Sequence, residues 1–350
     1  MRTPASDWQA RIDELLAPFE RAGMPGLAVG VVREGELVHA RGVSLADVER
    51  GTPIGPRTNF RLASLTKQLT AAAIHRLVEA GRLRLDEPLG DVLPGFRVDA
   101  GAITIEQLLL HRSGLVDYET LVPATRATQL GDAEVLAMLQ RQPSLMFAPG
   151  TRFHYSNSGY VLLGLAVDAR AGKPFAEHLR DSVFAPAGMH ASRLGADGVS
   201  LRAYGYTLSG NAAKPSDQGV TSALRGDGGV YSSIEDMARW IAAIERGDAL
   251  AAGSLRRMFT AVADPLTPGV GYGHGWFVDA INGQRRHWHT GSSIGFRHKL
   301  LHFPGRKLAV IVLGNMHRSR TPDLADAVAA LADPDLRIDP ATAPPRPVTR

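Results

Sequence analysis

Three short groups of residues have the chemistry to activate a nucleophile and to hold an oxyanion. The first is Ser64-Leu65-Thr66-Lys67. Residues three apart on a helix share one face within a turn. A serine hydroxyl at a helix start gains from the dipole as it becomes an alkoxide, and a neighbouring lysine can take its proton once it has lost its own. Arginine cannot play that part. The chain sharpens the point, because only five of its 39 basic residues are lysines, at 67, 173, 214, 299 and 307. A sequence that otherwise writes arginine needs a reason for lysine, and proton release is one. Alone the tetrapeptide is ordinary: roughly 0.3 such spacings arise by chance at this composition. A capping serine beside a solvated lysine would look the same.

The second group is Tyr155-Ser156-Asn157. A tyrosine hydroxyl in a cleft beside a lysine ionises more easily and can act as a general base. Asn157 presents a donor and an acceptor, suited to an ester or amide. The third is His289-Thr290-Gly291 at the end of an expected strand, where a small Thr-Gly edge lets substrate lie alongside like an added strand. The N–H of Ser292 would then join that of Ser64 in an oxyanion hole. Chance supplies roughly 0.1 copies of Y-x-N and roughly 0.07 of H-T-G, so the joint expectation with Ser64 and Lys67 is of order 0.002. Two rival patterns share this stretch. Gly291-Ser-Ser-Ile-Gly295 has the letters of a nucleophile elbow with Ser293 as nucleophile, but an elbow needs a helix next, and Phe296–Phe303 alternates like a strand. His287, His289, His298 and His302 lack metal-ligand spacing and read as strand histidines, so no metal is expected.

These residues need a scaffold. Asp7–Ala22 has the apolar spacing of an amphipathic helix, and Gly26–Val32 with Glu36–Gly42 reads as a hairpin about Glu34-Gly35. Ser64 to Gly81 is helical. So are Thr104–Leu110, Asn157–Ala171, Pro174–Ala187 and Ser233–Arg246, the last with a serine cap and acids in its first turn. Short strands follow at His274–Ile281, Arg286–Thr290, Gly295–Phe303 and Lys307–Leu313, then a helix over Pro322–Leu331. The expected fold is α+β: one antiparallel sheet built from both termini and flanked by helices, with a mostly helical insertion. We expect one domain over 1–350, with 1–84 and 251–335 in the sheet part, 85–250 in the helical part and 336–350 a loose tail. The site should lie in the cleft between the parts.

Composition excludes much else. At 44% hydrophobic and 21% charged the chain can bury a core. It has no cysteine, so thiol nucleophiles, disulfides and cysteine-ligated metals are out. A net charge of +4, with the basic residues scattered, does not fit a nucleic-acid surface. No apolar run would span a membrane. Met1–Trp8 lacks the apolar stretch of a signal peptide, which leads us to expect a cytoplasmic protein, or a periplasmic one if a leader was removed before residue 1.

The three groups, in this order, resemble the serine β-lactamases and penicillin-binding proteins, especially the class C-like branch that includes esterases and D-amino-acid peptidases. S-x-x-K appears as Ser64–Lys67, Y-x-N as Tyr155–Asn157, and K-T-G as His289-Thr290-Gly291. The phrases His111–Leu115, Pro149-Gly150, Gly228–Ser233 and Tyr272–Trp276 also look family-like. The resemblance runs from about residue 24 to 332. It implies an acyl-enzyme serine hydrolase without a cofactor. Ser64 would be the nucleophile, Lys67 and Tyr155 would handle protons, and Asn157 and His289 would meet a small ester or amide. A binding protein on the same scaffold would have no use for Ser64, Lys67 and Tyr155 together. One departure matters: histidine replaces the lysine of the third group, which weakens the hold on a carboxylate and favours esters or amides over penicillins. Arg285, Arg286 or Arg297 could restore that hold.

Overall fold

The Glu34-Gly35 turn folds the first hairpin, with both residues at positive φ (52° and 79°), the twist that tight two-residue connections require. It joins β1 (Leu27–Arg33) to β2 (Glu36–Val43). The structure, a computed structural model, describes residues 7–210, 212–263, 267–317, 319 and 321–337. Near the other end lie β3 (Val262–Ala263), β4 (Gly271–Tyr272), β5 (Phe277–Ile281), β6 (Gln284–Ser293), β7 (Phe296–Phe303) and β8 (Leu308–Gly314). Together they make one antiparallel sheet in the order β3-β4-β5-β6-β7-β8-β1-β2. The two ends of the chain meet where β1 pairs with β8, from Leu27 opposite Gly314 to Arg33 opposite Leu308. This is the α+β sheet expected from both termini.

Alternation along β1 and β8 sends side chains to two cores, which is why β8 is apolar throughout and β1 is apolar up to Arg33 at its end. On one face Val29, Val31, Val310 and Val312 pack with α1 (Asp7–Leu16) and a C-terminal helix, Thr321–Ala332. On the other, Ala28, Val32, Ala309 and Ile311 join the core that holds α2 (Thr66–Glu79), α3 (Asn157–Ala171) and α4 (Ile234–Arg246). Ser233 caps α4 by accepting from the Asp236 N–H at 3.2 Å, and Gly247 ends it at φ 80°. Among the described residues, the sheet draws strands only from 27–43 and 262–314.

Three expectations change. The first helix ends at Leu16 and continues as a 3-10 turn over Ala17–Phe19, because Pro18 cannot donate to the α ladder. β6 runs to Ser293 instead of Thr290, which moves the hairpin tip three residues on. Leu336, placed in the tail, is buried in a closing turn over Pro334–Leu336. The rest of the expected tail, 338–350, lies outside the described residues.

Candidate active site

Ser64 sits in a single 3-10 turn, Ala63–Leu65, that runs straight into α2. The turn aims its hydroxyl at a cavity of about 480 Å³. Ala63 is held at φ 49°, a conformation costing of order 1–3 kcal/mol that the surrounding packing must sustain. One turn on, Lys67 is fully buried beneath the cavity. Its Nζ donates to Ser64 Oγ at 3.1 Å, Asn157 Oδ1 at 2.7 Å and the Asp227 carbonyl oxygen at 3.1 Å. Three donors thus find three acceptors.

Asn157 opens α3, which packs across α2, so both helix starts converge on this point. Its N–H donates to Asp117 Oδ2 at 2.7 Å, and its Nδ2 donates to Glu119 Oε1 at 3.1 Å. Asp117 therefore fixes the backbone at the helix start, and Glu119 holds the side-chain amide with its oxygen towards Lys67. Deeper, the Tyr118 hydroxyl donates to Asp227 Oδ2 at 2.9 Å. Burial raises the pKa of Asp227 and of Glu119, and Lys67 opposes the rise in both.

Tyr155 lies beside Lys67, its ring centre 5.1 Å from Nζ. Among the described residues its hydroxyl has no hydrogen-bond partner. The ring packs at a tilt against His111 in an aromatic group, at 4.2 Å between centres. His111 accepts from the Ser156 N–H at 3.2 Å, which steadies the start of α3. Burial first, then Lys67, drives the His111 pKa well below its usual value, so no second cation forms there.

Ser64, Asn157, Ser292 and Ser293 line the cavity together with Glu119. His289, Thr290 and Gly291 do not. His289, expected to meet substrate, is fully buried, with Nε2 3.1 Å from the Tyr272 hydroxyl and Nδ1 2.6 Å from the Thr290 carbonyl oxygen. Burial, with Lys67 adding to it, lowers its pKa to about 3. The elbow reading of Ser293 also fails, because β6 turns back into β7 instead of a helix. Among the described residues no group of three side chains comes together to hold a metal, and no helix is long and apolar enough to cross a membrane.

Gly291 has a positioning role of its own. A Cβ there would lie 2.4 Å from the Leu62 carbonyl oxygen, so glycine lets β6 press against the turn that carries Ser64. Gly291→Ala should therefore lose about 1–3 kcal/mol of stability, the usual cost of overpacking against backbone. Denaturant unfolding measures it, and an unchanged midpoint would mean that the two segments are free to part.

Sequence reasoning missed Asp117, Tyr118, Glu119 and Asp227. The clustered acids about Tyr118, and the glycines flanking Asp227, were the only local signs.

The family model described as Beta-lactamase matches residues 8–333. A D-aminopeptidase from Gluconobacter oxydans (strain 621H) is 29% identical over 319 residues, which is 89% of this chain; the chain spans 59% of that protein's length. The structure of the octameric penicillin-binding protein homologue from Pyrococcus abyssi aligns with a TM-score of 0.83 at 26% identity, covering 98% of this chain and 80% of that one. The D-amino acid amidase from Ochrobactrum anthropi SV3, complexed with L-phenylalanine amide, aligns with a TM-score of 0.80 at 26% identity, covering 95% and 98%. With one model matched along nearly its whole length, the chain belongs to the Beta-lactamase family.

Proposed function

We propose that the protein is a serine hydrolase that works through an acyl-enzyme on small carboxylic esters or amides. The observation that carries this reading is the contact between Ser64 Oγ and Lys67 Nζ, 3.1 Å apart at the edge of an open cavity. Ser64 attacks the substrate carbonyl and its proton passes to Lys67 in its amine form, which keeps two N–H groups on Asn157 and Asp227 and turns a lone pair to Ser64 Oγ. The N–H groups of Ser64 and Ser292 hold the oxyanion. The proton passes from Lys67 through the Tyr155 hydroxyl to the leaving group; water then attacks the acyl carbonyl, gives a proton back to Ser64 Oγ by the same two side chains, and releases the acid. Asn157 keeps Lys67 in line. The helical part, 85–250, supplies Asn157 and Glu119, and the sheet part supplies Ser64 and Ser292, so the reaction lies between them.

Within this reading the wall of the cavity favours one substrate class. Glu119 offers a carboxylate at the rim, whereas the third group offers no lysine. An acyl group bearing an ammonium suits that wall better than the carboxylate of a penicillin. The names of the D-aminopeptidase and the D-amino acid amidase point the same way. Glu119→Gln should lower kcat/KM for amino-acid amides by about tenfold or more, the worth of one charge-assisted contact. Short-chain p-nitrophenyl esters should be affected much less. Equal losses on both would make Glu119 a support for Asn157 alone. Intact-mass measurement after exposure to p-nitrophenyl esters, amino-acid amides and nitrocefin tests the overall reading through an adduct on Ser64.

A further inference from the structure

A second cavity, of about 760 Å³, opens on the same sheet face as the active site but beyond its aromatic group. Its floor is the cross-strand pair His287 on β6 and His302 on β7. Their exposures are only 4% and 2%, yet neither ring nitrogen of either residue makes a hydrogen bond. Buried polar atoms are almost always paired, so two imidazoles left open toward one cavity call for a partner within it. Among the described residues Glu245 Oε1 also accepts no hydrogen bond, and it lies 3.4 Å from His302 Nε2, within ion-pair reach if that imidazole is protonated. Burial holds His287 far below its usual pKa, which leaves it one N–H and one lone pair.

The walls narrow the ligand further. Phe259 stacks on His287 with ring centres 4.0 Å apart, and Ile244 and Leu255 complete an apolar side. The mouth carries Arg246, Arg256, Arg285 and Lys307 against Glu34 and Glu245, an excess of positive charge. Arg246 is engaged with Asp248, and Arg285 donates to the Phe259 carbonyl oxygen. Arg256 and Lys307 have no ion-pair partner among the described residues, and both are exposed. The volume suits a small organic molecule.

We infer that this cavity is a second binding site, for a small amphipathic carboxylate that carries an amide: its apolar body against Phe259 and Leu255, its amide on His287 and His302, its carboxylate at Arg256 and Lys307. Nothing in this assignment depends on the chemistry proposed for Ser64.

N-acetyl-phenylalanine has all three parts and serves as the probe. Calorimetric titration of the full chain should show binding, and the uncharged N-acetyl-phenylalaninamide should bind about tenfold or more weaker. The double variant Arg256→Gln/Lys307→Gln, exposed at both positions and outside the core, should lose a similar factor. Ser64→Ala should bind as wild type does. Imidazole NMR signals of His287 and His302 should shift with saturation. Absence of binding at millimolar probe overturns the proposal. So does binding that the rim variant leaves intact, or that shifts only His111 and His289, since the probe would then sit in the active site.

Discussion

The Ser64→Ala protein should fold like wild type, form no adduct with any acylating probe and hydrolyse nothing above background. Removing the nucleophile of a serine hydrolase costs on the order of 10⁴–10⁶ in kcat. The expectation rests on one geometry: Ser64 is the hydroxyl that Lys67 touches, at 3.1 Å. Ser293 gives the control. It lines the same cavity, but among the described residues its Oγ has no hydrogen-bond partner to take a proton. Ser293→Ala should keep a substantial part of the activity. Intact mass and ester turnover, measured on both variants, separate the two serines. Activity that survives in Ser64→Ala and disappears in Ser293→Ala would transfer the nucleophile to the hairpin tip.

The second large effect belongs to Lys67. Lys67→Arg keeps a cation but removes any accessible neutral form, so acylation should slow by roughly 10²-fold or more, the scale of lost acid–base help. The guanidinium must also fit a fully buried space shaped for one nitrogen with three acceptors. A loss of stability must therefore be separated from a loss of chemistry. Thermal unfolding reports the first, and single-turnover acylation of the folded fraction reports the second. If the folded variant acylates as fast as wild type, Lys67 is an electrostatic partner only, and the proton route passes through Tyr155.

How much of this was legible beforehand follows from the range over which each signal acts. Ser64 and Lys67 are one helical turn apart, and Asn157 opens a helix, so local spacing was enough to find them. The Ser233 cap was equally local, and α4 starts where it says. Glu119 and Asp227 were not legible. Their roles depend on which loop folds beneath Lys67, and nothing in the neighbouring letters fixes that. His289 shows a third case. Its place on a strand was legible and its full burial was not, because the burial depends on Tyr155, Tyr272 and Phe277, which pack around the imidazole from three other segments. The small sheet of Phe60–Arg61, Val230–Ser232 and Arg193–Leu194 also escaped notice, since strands of two or three residues have no measurable alternation.

The pairing of β1 with β8 has a consequence for the chain before it has folded. β1 leaves the ribosome long before its partner, which lies almost three hundred residues downstream, as Leu27 faces Gly314. Contacts of such high order are slow to form, because the loop must close before the strands are rewarded. Until β8 emerges, the apolar β1 has one open edge, and its hairpin is a template for pairing with other chains. Synthesis of this protein should therefore depend on holding that hairpin apart from its neighbours, and chains cut short before residue 308 should accumulate as aggregates instead of as partly active enzyme.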